Sequence, residues 1–316
     1  MDGQAATGGT FTGPSPTAPT EAQPGPVLPA RLDSLLADVP GYVSIHAPLR
    51  VQTLGGFRVW RYGEEILPGA WGREKALQLF QFFITNRSHY LHKEQIIDQL
   101  WPDLDARRGD RDFKVALNAV NKTLEPERTP WSEAQFIRRQ GLAYGLAMEY
   151  IWLDSDVFEL LIAAGNRLLS PQPADSPGDE PAGETPADEA LAMRYLAAAV
   201  ELYQGDYLPE RRYEDWSVAE RERLQVLALG TMTTLAGLYL PHNPLESVRL
   251  TQRVLAMDPV WEDAYRIQMR AYAAQGNRPL ALRTYQQCVQ VLQEEFAVDP
   301  LPETQELYRQ ILQGEL

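Results

Sequence analysis

An α+β winged helix-turn-helix followed by an all-α tetratricopeptide-like helical repeat domain is the fold the sequence predicts. Three observations carry this expectation. Alternating β-formers broken by glycines lead into three helical apolar periods and a final hairpin. Behind residue 150 only helical periods remain. Within that second part a spacing of 34 residues recurs.

With 316 residues the chain exceeds one small core, which predicts two domains plus linkers. Apolar residues make up 44% and charged residues 23%, the balance of a globular protein in water. The longest apolar runs fall far short of a membrane span. The opening MDGQAATGGT has no basic patch ahead of an apolar stretch, so no signal peptide is expected. The single cysteine, Cys288, permits no intrachain disulfide and fits a reducing cytoplasm.

Residues 1–41 are rich in Gly, Pro, Ala and Thr and are expected to form a disordered tail. The first domain is placed at 42–149. LRVQTLGGFRVWRYGEEIL (49–67), broken at Gly55-Gly56 and Tyr62-Gly63, predicts three short antiparallel strands. GREKALQLFQFFITN (72–86) carries Ala76, Leu79, Phe80, Phe83 and Ile84 at helical period. KEQIIDQLW (93–101) is a second helix with Ile96, Ile97 and Leu100 inward, stopped by Pro102. RDFKVALNAVNKTLEP (111–126) is a third, with a buried stripe of Phe113, Leu117, Val120 and Leu124. AQFIRRQGLAYGLAM (134–148) reads as a hairpin turning at Gln140-Gly141. Strands, three helices and a hairpin in this order make a winged helix, with the second and third helices as the helix-turn-helix.

The second domain spans 150–316. It contains SPQPADSPGDEPAGETPADE (170–189), an acidic, proline-rich linker. Helices are expected at 190–204 and 214–240. Leu238, Ser247, Val254 and Pro259 precede Tyr272, Ala281, Cys288 and Gln293 by 34 residues. Small residues at Ala281 and Cys288 allow close helix approach, and stacked helix pairs leave a concave face for a partner protein or a second copy. Tyr265, Tyr272 and Tyr285 are read as packing residues.

Charge is unevenly placed. The net charge of −14 argues against nucleic acid, yet residues 50–150 hold 15 basic against 13 acidic residues. The remainder holds 14 basic and 30 acidic residues, so the objection applies only there. On the third helix, the face opposite the apolar stripe presents Arg111, Val115, Asn118 and Lys122, with Lys114 and Asn121 on its flanks. A helix fits the major groove, where Asn reads adenine and Arg or Lys reads guanine or phosphate. The hairpin offers Arg138 and Arg139 to the minor groove or backbone. Arg107 and Arg108 lie in the connection between the second and third helices.

No catalytic constellation stands out. His46, His89, His92 and His242 are scattered without metal-ligand spacing, and no GxxxxGK[ST] phosphate loop occurs. Neither an enzyme nor a cofactor is expected.

LGGFRVWRYGEEIL, HKEQIIDQLWPD and the wing ending in AYGL resemble the OmpR-like DNA-binding domain of SARP-type regulators. YIWLDSDVFELL, LYQGDYLPERRYEDWSVAERERL, RVLAMDPVWEDAYRIQMRAYAAQGNRPLALRTYQQC and EEFAVDPLPETQELY resemble the bacterial transcriptional activator domain that follows it. The resemblance covers roughly residues 49–313 apart from the linker. It implies a DNA-binding transcriptional activator that recruits RNA polymerase at promoters. Asn121-Lys122 stands where that family often carries an arginine pair. The acidic remainder leaves open a second reading, an adaptor that has lost DNA binding and works through its helical repeats.

Overall fold

A computed structural model describes residues 28–129, 131–170 and 186–315. Strands β1 (Leu49–Gln52), β2 (Arg58–Arg61) and β3 (Glu64–Glu65) form an antiparallel meander, as expected. In β1, Leu49 and Val51 point into the core while Arg50 and Gln52 stay half-buried. The β2–β3 turn is two residues long, with positive φ at both Tyr62 (47°) and Gly63 (87°). That backbone twist matches the flanking strands.

Three helices follow: α2 (Glu74–Thr85), α3 (Lys93–Leu100) and α4 (Ala106–Leu124). The hairpin of β5 (Ile137–Gln140) and β6 (Ala143–Leu146) closes the domain. A two-residue strand, β4 (Leu91–His92), pairs with β6 and attaches the hairpin to the start of α3. Leu49, Val51, Leu79, Phe80, Phe83, Ile96, Phe113 and Val120 share one core.

One strand was not expected. β7 (Ile151–Leu153) pairs parallel to β1, setting Leu49 against Ile151 and Val51 against Leu153. The sheet order is therefore β3-β2-β1-β7. All three residues of β7 are buried, so they carry no polar alternation by which sequence reading recognises a strand. The segment placed at the start of the helical domain completes the sheet of the first.

The second domain contains α5 (Asp154–Leu168), α6 (Pro186–Leu202), α7 (Asp215–Tyr239), α8 (Pro244–Met257), α9 (Glu262–Ala274), α10 (Arg278–Phe296) and α11 (Pro302–Gln313). The 34-residue spacing superimposes α8 on α10: Ser247, Ala281, Val254 and Cys288 are all fully buried. The helix caps repeat too. Asn243 Oδ1 accepts the Glu246 N–H and Asn277 Oδ1 accepts the Leu280 N–H, each at 3.3 Å. Burial pushes the Cys288 thiol up to about 12, as an inert packing residue requires. Tyr285 stacks on Tyr308 with centroids 4.1 Å apart, and the Tyr265 hydroxyl donates to Pro259 O at 3.0 Å.

Parts of the expected tail and linker are helical. Residues 1–27 and 171–185 lie outside the described residues. Leu28–Leu36 forms a helix, α1, whose Leu32 and Leu36 are buried in the core of the helical domain. Two leucines four apart supply an apolar stripe that the surrounding Pro and Ala obscure. The last residues of the expected linker, Pro186 to Glu189, form the first turn of α6. Proline at the first helical position and carboxylates in the first turn suit a helix start.

Substituting Leu36→Ala is expected to lower unfolding free energy by about 2–4 kcal/mol in urea titration, because a buried leucine leaves a cavity. A change below about 0.5 kcal/mol, typical of an exposed residue, would return α1 to the status of a tail.

Candidate nucleic-acid interface

Helix α4 is seated by its own sequence. Asp105 caps it, accepting the Arg107 and Arg108 N–H groups at 3.1 and 2.9 Å. The helix therefore begins at Ala106, five residues before the expected start, because ARRGD has no apolar period to announce it. Arg107 and Arg108 lie on its first turn rather than in the connection. Gly109 faces α3: a Cβ there would come within 2.5 Å of Ile97 Cγ2. Only glycine lets the two helices cross so closely. At the far end Arg61 donates to Thr123 O at 2.8 Å and the Thr123 hydroxyl donates to Ala70 O at 3.1 Å.

The buried face consists of Gly109, Phe113, Ala116, Val120, Thr123 and Leu124, with Leu117 half-buried beside it. Phe113 meets Tyr144 edge-on at 5.1 Å and Trp101 at 6.5 Å. Trp101, the residue that follows α3, is buried. The opposite face carries Arg107, Arg111, Lys114, Asn118 and Lys122, all exposed. Their spacings of 4, 3, 4 and 4 place them on one stripe of the helix. Lys114 lies within this stripe rather than on its flank. Asn121 sits at its border, half-buried, and its Oδ1 has no hydrogen-bond partner. Val115 is exposed beside the stripe, where a base methyl group can meet it.

The wing presents Arg138 and Arg139, both exposed. Arg138 pairs with Glu149 at 2.5 Å, and the Arg139 Nε–H donates to Gly141 O at 2.7 Å. Each guanidinium lies over a ring, Arg138 over Tyr150 and Arg139 over Tyr144. Adjacent strand residues face opposite ways, which divides the two arginines between the faces of the hairpin. Arg111 pairs with Asp112 at 3.2 Å and Arg108 with Asp105 at 3.3 Å. Exposed pairs of this kind are weak and exchange readily for phosphate.

Sequence reasoning missed Lys93. It opens α3, and its ammonium meets Asp110 together with that of Lys114. Asp154, which with Trp152 reads in the sequence as a domain-joining element, lies at the joint between the domains. The Asp154 carboxylate, fully buried, accepts the Thr53 and Leu54 N–H groups at 2.8 Å and the Thr53 hydroxyl at 2.6 Å. It also accepts the Ser155 N–H at 2.8 Å. Burial pushes its pKa up to about 6 against these donors. Leu54 bridges to Tyr207, the Gly55 N–H donates to Asp206 O, and the Leu208 N–H donates to Thr53 O. A Cβ at Gly55 would lie 2.8 Å from that of Gln204. Arg87, at the end of α2, pairs with Asp156 at 2.5 Å and Glu220 at 2.9 Å. Burial disfavours its charge, but the carboxylates outweigh this and hold its pKa above the ordinary value. The signal for this joint is the polar run GDYLPERRYEDW, whose Glu210 and Glu214 accept from Gln81 and Gln78 of α2.

Residues 179–312 match the family model of the bacterial transcriptional activator domain. This stretch is a bacterial transcriptional activator domain. In this chain it follows the winged helix. The structure of Mycobacterium tuberculosis EmbR, solved in complex with a low affinity phosphopeptide, is similar to this chain with a TM-score of 0.69. The match covers 85% of this chain and 66% of that one at 16% identity, which establishes the shared fold. Comparison with curated proteins gives no match. Among the described residues no helix is long and apolar enough to cross a membrane.

Gly109→Val should lower the stability of the protein by about 1–3 kcal/mol, since the added carbons overlap Ile97. Gly230→Ala, in an open position of α7, should raise it by about 0.5–1 kcal/mol. Thermal or urea unfolding of both variants checks the helix crossing. Equal behaviour would mean that α3 and α4 do not approach as described.

Proposed function

We propose that the protein is a non-enzymatic, sequence-specific DNA-binding activator of transcription that acts in the cytoplasm. Helix α4 enters the major groove of double-stranded DNA. Asn118 reads a base edge there, with Arg111 and Lys114 on base edges or phosphate. Arg107, Arg108 and Lys122 hold phosphates at its two ends, with Asn121 at the border. Arg138 and Arg139 bring the wing to the backbone or a narrow minor groove. The helical domain recruits RNA polymerase and offers its repeats to a protein partner or a second copy. No cofactor takes part.

The observation that supports this reading is the exposed stripe on α4, five polar or cationic side chains opposite a face that is apolar apart from Thr123. A helix that merely packed would need no such run of cations. The winged-helix and activator-domain pairing supports the same reading.

Selection from a randomised duplex pool with the full chain supplies the target. Affinity for the enriched duplex should fall with salt, by about 0.9 logarithmic units per tenfold increase for each phosphate neutralised. Replacing Lys114, Asn118 and Lys122 together by Ala should weaken that complex by about 100-fold or more, with melting temperature preserved. Failure to enrich any sequence, or unchanged affinity in the triple variant, would contradict the proposal.

A further inference from the structure

Asp110 is an acidic residue set against the cationic face of α4. Its Oδ1 accepts the Lys93 ammonium and its Oδ2 accepts the Lys114 ammonium at 2.7 Å. These lysines come from different elements: Lys93 opens α3, and Lys114 lies one turn past Asp110 on α4. The Lys93 N–H donates in turn to Leu142 O, in the turn of the wing, at 2.9 Å. The carboxylate thus joins the start of α3 to α4, and the Lys93 backbone joins α3 to the wing. Lys114 is 69% exposed, while the side chains of Lys93 and Asp110 are 21% and 29% exposed.

Stability alone is a poor reason for this carboxylate. Salt links at this exposure contribute little, and solvent screens them. Its effect on an approaching polyanion is larger. Two free ammonium groups would bind any phosphate backbone, whatever its sequence. A carboxylate between them cancels one positive charge and repels phosphate directly. It also fixes both ammonium groups in place, so that they engage DNA only in one register.

Building on the proposed DNA-binding role, we propose that Lys93 is a further DNA contact and that Asp110 is a positioning residue that sets specificity. Asp110 lowers affinity for random DNA more than for the target. It is a repulsive element against the wrong partner, the means by which discrimination rises without new attraction. The two nearby carboxylates do not share its role: Asp112 pairs with Arg111, and Glu94 lies beside His92. Both lysines draw the Asp110 carboxyl below the ordinary range, so it stays ionised at neutral pH.

The test compares full-length Asp110→Asn and Lys93→Gln with the unaltered chain on two probes. One is a randomised duplex pool, the other the duplex that the unaltered chain enriches from it. Asp110→Asn should bind the pool about 3- to 10-fold tighter, with a salt slope steeper by about 0.9. The ratio of enriched to random affinity should fall at least about threefold. Lys93→Gln should bind both probes more weakly, with a shallower slope and an unchanged melting temperature. An unchanged affinity ratio in Asp110→Asn, or equal weakening on both probes, would overturn the role of Asp110. An unchanged slope in Lys93→Gln would overturn the contact. If the unaltered chain bound neither probe, the DNA-binding reading itself would fall, and this one with it.

Discussion

Burial of Phe113 against Tyr144 and Trp101 fixes how α4 is rotated in the domain. Edge-on aromatic pairs contribute about 0.5–1.5 kcal/mol each beyond the area they bury. Their directionality matters more here than their strength. A helix turned by one residue would rotate by about 100° and move Phe113 out of its socket. With Phe113 held, Arg107, Arg111, Lys114, Asn118 and Lys122 have one direction to face. Gly109 under Ile97 then sets the distance from α3, and Arg61 at Thr123 O anchors the far end. The face left to solvent follows from what the helix hides.

A second constraint joins this surface to the helical domain. Asp154 satisfies the backbone of Thr53 and Leu54 from the first residue of α5, so sheet and helix meet without an orphan N–H. Arg87 reaches from α2 to carboxylates on α5 and α7. Removing one partner of a buried pair typically costs about 3–5 kcal/mol, because the other charge is stranded. Such a joint adds orientation as much as stability. Helix α2 packs on α4 on one side and on α7 on the other, so α4 and the activator domain share a rigid neighbour. The exposed face of α4 is thereby held in a set direction relative to the helical repeats.

Most of the architecture was legible from periodicity. The apolar stripe of 111–124, the turns at Gly55 and Gly63, and the 34-residue spacing each carry a physical signature in the residues themselves. The misses have a common cause. β7 is too short and too buried to alternate, α1 sits inside a stretch of Pro and Ala, and the first turn of α4 is made of charges and a glycine. Nor does sequence order show that Asp154 faces Thr53 or that Lys93 meets Asp110. These are contacts between segments far apart in the chain, settled by the fold. The site stripe itself was legible except for Lys114, which lies nearer its centre than the flank to which the expectation assigned it, and Arg107, which the expectation left in the connection ahead of α4.

The central claim is that the exposed stripe of α4 lies against DNA. A photoreactive side chain at position 118, with a second protein carrying it at exposed Val226 on α7, tests this on the duplex selected by the full chain. The account predicts covalent capture of the duplex from position 118 and none from 226. Efficient duplex binding without capture from 118, or capture from 226 alone, would contradict it.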